Sequence, residues 1–213
     1  MTVFGPWLGQ MTKALTREPA SRWLLWIDGV GAFALFLDDR VRFGGPGSTG
    51  KSADVCLLAH LSREHATIRR SGEGYLMEAQ GAAAVAGRDV VGSVPLFDGC
   101  EIALGRSVRL RFRQPNVLSA TARIEFLSDH RPRRSIDGVI LMHETCILGP
   151  AADAHVPCPD WPDSVLLFRR QGQLWCRSRL RLLVGEQFVG DGRPLRSGQT
   201  VVGAGLRFRL EAV

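Results

Sequence analysis

The sequence lacks any apolar run near the ~20 residues that a membrane-spanning helix needs. Its first ten residues, Met1 to Gln10, lack the basic-then-apolar layout of a secretory signal. The expectation is a cytoplasmic protein with no membrane partner. Five cysteines are present, Cys56, Cys100, Cys146, Cys158 and Cys176, without one Cys-x-x-Cys. An odd number without paired spacing speaks against a disulfide scaffold and for reduced, mostly buried thiols. No serine or acid stands at a triad-like spacing from a histidine, so no enzyme is expected and no cofactor is implied. The net charge is +6, carried almost wholly by arginine and spread evenly over both halves. Nucleic-acid binding calls for a concentrated basic patch, so that partner class is not expected.

Long helical periods are missing too, and short β signals take their place. Trp23-Leu-Leu-Trp-Ile27 ends at Asp28-Gly29, a turn pair. Further apolar or alternating runs follow at Phe33 to Leu37, Val41 to Phe43, Val55 to Leu58, Ala66 to Arg69, Tyr75 to Met77, Ile102 to Leu104 and Val108 to Arg113. Apolar content of 45% is ordinary for a soluble globular chain, and 213 residues suffice for one large or two small domains. The fold class expected is all-β, with two β-sandwich domains in tandem. Residues 1–21 form an N-terminal tail or short docking segment, in which Trp7, Leu8, Met11 and Leu15 recur at helical spacing. Residues 22–127 form the first sandwich and 137–213 the second. The polar, proline-centred stretch 128–136 is the expected linker.

The two halves echo one another. Phe43-Gly-Gly-Pro46 with Ala53-Asp54 resembles Leu148-Gly-Pro150 with Ala152-Asp153. Pro95-Leu96-x-x-Gly99 resembles Pro194-Leu195-x-x-Gly198, and Val108-Arg-Leu-Arg-Phe112 resembles Leu206-Arg-Phe-Arg-Leu210. Three landmarks in one order imply a duplicated unit.

The most informative stretch is Leu61-Ser62-Arg63-Glu64-His65-Ala66-Thr67-Ile68. It brings a hydroxyl, a guanidinium and an imidazole to the entry of a strand, where a rigid sheet presents chemistry. A hydroxyl beside an arginine can make charge-assisted hydrogen bonds to a phosphate. Later comes Phe97-Asp98-Gly99-Cys100-Glu101-Ile102-Ala103-Leu104-Gly105, and between them Tyr75 and Gly87-Arg88-Asp89-Val90. With these motifs in order, residues 23–113 resemble a forkhead-associated (FHA) domain, a sandwich of the FHA/SMAD type. The resemblance implies eleven strands and phosphothreonine recognition by loops at one end. It implies phosphopeptide contacts from Ser62 and Arg63, and a bracing role for a buried His65. The family's phosphate-binding arginine falls at Gly45, and its backbone-holding asparagine near Ala86, or at Gln80 with a one-residue shift. Lys51 and Arg88 are the expected substitute cations. The second half resembles the family faintly: its Ser-x-x-His position reads Ser164-Val-Leu-Leu167, and no phosphate site is legible there.

Other motifs compete. Gly45-Pro-Gly-Ser-Thr-Gly50-Lys51-Ser52 fits the P-loop pattern, which would need a helix starting at Lys51. His143-x-x-Cys146 and His155-x-x-Cys158 could hold zinc, although residues three apart on a strand face opposite ways, and no metal site is expected. Arg109, Arg111 and Arg113 define one polar strand face, repeated by Arg207 and Arg209. The function expected is a non-enzymatic protein-interaction module whose partner is a protein or a phosphothreonine-containing peptide. A phospho-independent structural adaptor and a P-loop nucleotide enzyme are the alternatives.

Overall fold

The computed structural model describes residues 20–47, 53–130 and 132–213. The expected docking segment lies outside this range up to residue 19. The described chain is all strand and connection. The first set is β1 (Arg22–Ile27), β2 (Gly31–Phe36), β3 (Arg40–Gly44), β4 (Val55–Cys56), β5 (Ala66–Ser71), β6 (Gly74–Ala79), β7 (Ala83–Val85), β8 (Arg88–Asp89), β9 (Ser93–Leu96), β10 (Glu101–Leu104) and β11 (Val108–Arg113). The second is β12 (Ala122–Phe126), β13 (Gly138–Leu141), β14 (Thr145–Gly149), β15 (Val156–Pro157), β16 (Val165–Arg170), β17 (Gln173–Ser178), β18 (Leu182–Val184), β19 (Gln187–Val189), β20 (Arg193–Pro194), β21 (Thr200–Gly203) and β22 (Leu206–Ala212). No helix among the described residues is long and apolar enough to cross a membrane.

Alternation makes these strands. In β11 the residues Val108, Leu110 and Phe112 are buried while their arginine neighbours are half-buried. β22 repeats the pattern with Leu206, Phe208 and Leu210. A period of two places one apolar face on a core and one polar face toward water. The β1–β2 turn is closed by Gly29, whose φ of 74° suits a residue without a Cβ.

Three sheets result. Two five-stranded sheets have the orders β4-β3-β5-β6-β9 and β15-β14-β16-β17-β20. One 12-stranded sheet runs β19-β18-β21-β22-β1-β2-β13-β12-β11-β10-β7-β8. The matching orders establish the duplication: β3 to β11 and β14 to β22 are the same nine-strand body. Each body is completed by a two-strand hairpin, making eleven strands per sandwich.

The hairpins are exchanged. β1 pairs with β22 along Trp23↔Ala212 to Ile27↔Phe208, so the N-terminal hairpin completes the C-terminal sandwich. β12 pairs with β11 and completes the first. The cores agree. Trp23, Leu25, Ile27, Phe33 and Leu35 pack with Leu167, Cys176, Phe208 and Leu210. Ile124, Ile136, Val139 and Leu141 pack with Phe43, Ile68, Met77 and Phe112. The chain division expected at 128–136 is therefore corrected. That stretch is the β12–β13 connection, and it lies on the first sandwich through a Leu57↔Pro132 bridge. Its polarity is that of a surface loop.

The two halves meet where β2 and β13 run parallel, from Gly138↔Phe33 to Leu141↔Phe36. Both strands are buried on both faces. Phe33 and Leu35 enter one core and Phe36 the other; Ile140 and Met142 enter one, Val139 and Leu141 the other. Strands covered on both sides carry near-continuous apolar runs, as Phe33 to Phe36 and Val139 to Met142 do. A parallel central pair with cores on opposite faces implies an approximate two-fold axis along the strands.

The P-loop alternative is excluded by this fold. Residues 53–57 are extended, and Val55–Cys56 pairs in parallel with Phe43–Gly44, where a helix would be required.

Candidate functional site

One end of the first sandwich gathers the β3–β4, β4–β5, β6–β7 and β10–β11 connections. Gly44 and Gly45 bring the β3 backbone hard against residues 61–63. A Cβ on Gly44 would lie 2.0 Å from the Arg63 carbonyl oxygen, and one on Gly45 would lie 2.4 Å from that of Leu61. The Gly45 N–H donates to the Ser62 carbonyl at 2.9 Å. Only residues without side chains allow this approach.

His65 fixes the same loop from inside. It is 5% exposed. Its Nδ1 accepts the Ser62 N–H at 3.2 Å, and its Nε2 lies 2.9 Å from the Ala82 carbonyl. Nδ1 is thus the acceptor and Nε2–H the donor, a neutral ring bridging two loops. The His65 carbonyl takes N–H bonds from Gln80 and Gly81. A Cβ on Gly81 would fall 2.2 Å from His65 Cε1, so this glycine leaves room for the ring. With its N–H and C=O engaged, Ser62 is exposed, and its hydroxyl meets no partner among the described residues. Arg63 beside it is exposed and lies along Gly47.

Behind the loop runs a charge chain. Arg42 contacts Glu64 Oε1 at 2.7 Å and Asp54 Oδ2 at 3.2 Å, and Arg22 reaches Asp54 Oδ1 at 2.7 Å. Burial pushes the Asp54 carboxyl up. Hydrogen bonds from the Arg42 side chain and backbone, with the charges of Arg22 and Arg42, outweigh it and leave the group below its ordinary value.

The expected site residues separate. Ser62, Arg63 and His65 come together. Gln80 joins them on the β6–β7 connection. Ala86 does not: it forms the β7–β8 tip with Gly87, at φ 49° and 77°, away from His65. Arg88 is likewise removed. It pairs with Val85 on an edge strand and lines a hollow with Pro95 and Phe97, toward the opposite end of the sandwich. Lys51 lies outside the described residues.

In the second sandwich two landmarks shift. Val156 pairs with Leu148 as Val55 pairs with Phe43, so His155, and not Asp153, stands at the place of Asp54. Val165 pairs with Leu148 as Ala66 pairs with Phe43, so Ser164 stands at the place of His65. Counting back, Trp161, Pro162 and Asp163 replace Ser62, Arg63 and Glu64. Trp161 is buried and stacks 6.1 Å from Phe208, which closes this end with packing instead of a hydroxyl.

His143, Cys146, His155 and Cys158 do not converge; among the described residues no group of three His, Cys, Asp or Glu side chains is placed to hold a metal. Cys146 and Cys158 are fully buried, and burial pushes both thiols up to about 12. The arginine faces are committed to acids: Arg111 to Glu101 at 3.2 Å, Arg113 to Asp98 at 3.0 Å and Arg209 to Glu211 at 2.8 Å.

No family model matches the chain, and no curated protein does. Among solved structures, an Rv0020c FHA structure is similar at 25% identity and a TM-score of 0.27, over 39% of this chain and 84% of that one. The N-terminal FHA domain from EssC, a component of the bacterial Type VII secretion apparatus, is similar at 12% identity and a TM-score of 0.24, over 89% of this chain and 92% of that one. On its own motifs and strand count, the chain is an all-β pair of sandwiches, the first of which is FHA-like at Leu61 to Ile68 and Phe97 to Gly105.

Proposed function

We propose that the chain is a non-enzymatic protein-interaction module, and that the loops around Ser62 and Arg63 take a phosphothreonine-containing segment of a protein partner. One observation carries this reading: the exposed Ser62 hydroxyl sits on a backbone pinned from two sides, by His65 and by Gly45, next to the exposed Arg63. A hydroxyl on a pinned backbone with a guanidinium beside it suits a phosphate, because hydrogen bonds to charged oxygens are the strong ones and a backbone already in place loses less on binding. Lys51, which follows the glycine-rich stretch Gly44 to Gly50 in the sequence, is the further cation of this reading. Arg88 has no part in the reading, given its place near Phe97.

The packing of Gly45 favours a second reading, a phospho-independent adaptor, because no arginine side chain has room to leave the loop at that position. Fluorescence anisotropy with a degenerate phosphothreonine peptide library and unphosphorylated controls separates the two. Saturable binding that needs the phosphate and weakens in Ser62→Ala and Arg63→Ala is the expected result. Equal binding with and without phosphate would leave the adaptor reading in its place.

A further inference from the structure

We propose that the cleft where the two sandwiches join is a docking site for a short acidic segment of a protein partner, held by Arg133 and Arg134. This inference is independent of the Ser62 reading. The cleft has a volume of about 530 Å³. Leu24, Phe36, Val55 and Ile136 give it apolar walls, and Arg22, Arg133 and Arg134 give it cations.

The three arginines are not equivalent. Arg22 is committed to Asp54 at 2.7 Å and Asp38 at 3.6 Å. Asp54, the acid lining the cleft, is in turn shared between Arg22 and Arg42. Arg133 and Arg134 are exposed, and neither meets a carboxylate among the described residues. Their backbone is nonetheless fixed: the Arg133 N–H donates to the Cys56 carbonyl at 2.7 Å, and Pro132 is buried in a bridge to Leu57. The exchanged hairpin therefore carries two guanidinium groups that meet no carboxylate among the described residues to a cleft of mixed polar and apolar lining, and anchors them there.

Guanidinium forks match carboxylates two bonds at a time. Apolar walls between them accept an aliphatic side chain. A segment mixing Asp or Glu with one apolar residue satisfies both. A nucleic acid would want a longer basic track with aromatic platforms, and the cleft offers neither.

The test uses the full chain and the labelled peptide Asp-Glu-Leu-Glu-Asp, with Asn-Gln-Leu-Gln-Asn as its uncharged counterpart, in anisotropy titrations at low ionic strength. The expected result is saturable binding of the acidic peptide alone. Affinity falls about tenfold in Arg133→Ala/Arg134→Ala, in line with two exposed ion pairs. Ser62→Ala, and Arg40→Ala/Arg106→Ala with the same change of charge at exposed positions elsewhere, leave it unchanged. Thermal melts show that each variant is folded. The proposal is overturned by absent or non-saturable binding, by equal binding of the uncharged peptide, by an equal loss in the Arg40/Arg106 control, or by tighter capture of a single-stranded oligonucleotide.

Discussion

Asp54 and His155 hold the same position in the two sandwiches and perform the same task with different chemistry. Asp54 Oδ2 accepts the Arg42 N–H at 2.9 Å, and His155 Nδ1 accepts the Ile147 N–H at 2.9 Å. Each ties the first strand of its body to the edge strand beside it. Each also meets an arginine from the exchanged hairpins: Arg22 reaches Asp54, and Arg123 donates to the His155 carbonyl.

The two groups titrate in different windows. Burial lowers His155 from 6.5 to about 4, with Asp153 opposing and Arg123 assisting. The unfolded chain therefore takes up this proton first. Stability from neutral His155 is complete above pH 6.5 and falls as pH drops toward 4, by up to roughly 3 kcal/mol. Asp54, held below 3.8, contributes fully above that unfolded value and loses the contribution as pH falls from there through its folded value, further into acid. In His155→Asn the amide oxygen can replace Nδ1. Urea midpoints of that variant should lose the slope between pH 6.5 and 4.5 that the parent shows. Parallel slopes would rule the assignment out.

His65 should matter to the loop more than to the core. Its loss strands the Ser62 N–H and the Ala82 carbonyl and opens a void, about 2–4 kcal/mol together. His65→Ala should speed amide exchange across residues 57–65 before it does so in β5. Gly81→Ala, which drives a methyl into the ring, should produce the same local pattern. Uniform exchange across the whole first sandwich would contradict the bracing role.

Restoring an arginine at position 45 should fail. The 2.4 Å approach to the Leu61 carbonyl is backbone against backbone, which a side-chain rotation cannot relieve. Gly45→Arg should lower stability by about 1–3 kcal/mol, as overpacking does, with no gain in phosphopeptide affinity. A tighter complex at unchanged melting temperature would show that the loop can open to admit the side chain.

Much of this was legible in the sequence because strands announce themselves by alternation. Val108 to Arg113 and Leu206 to Leu210 mark equivalent strands, and Pro95-Leu96 and Pro194-Leu195 fall at β9 and β20. The Ser62–His65 spacing located one loop end. The misread landmarks have a physical origin. The β14–β15 connection is shorter than β3–β4, so Ala152-Asp153 falls short of the position that Asp54 holds, which register assigns to His155. Arg88 is near Ser62 in neither chain nor space. The hairpin exchange left no trace, because Trp23 to Ile27 and Ala122 to Phe126 are both apolar enough to line either core. Pairing partners of similar pattern are chosen by connection geometry, which composition does not encode.

The exchange itself can be tested in the intact chain. Leu24 lies opposite Glu211 in the β1–β22 pairing. Opposed residues on neighbouring antiparallel strands hold their Cβ atoms about 4.5–5.5 Å apart, close enough for a disulfide after small adjustment. An unexchanged hairpin would instead occupy the place of β12 beside β11, where Arg123 faces Arg113, and would put Leu24 opposite Arg113. Leu24→Cys with Glu211→Cys should therefore cross-link within one chain under mild oxidation, and Leu24→Cys with Arg113→Cys should not. The five native cysteines are buried and should stay out of the reaction. Mass spectrometry of the peptides reads the outcome. A bond between positions 24 and 113 would return each hairpin to its own half. A bond between positions 24 and 211 of two different chains would show the exchange working between molecules.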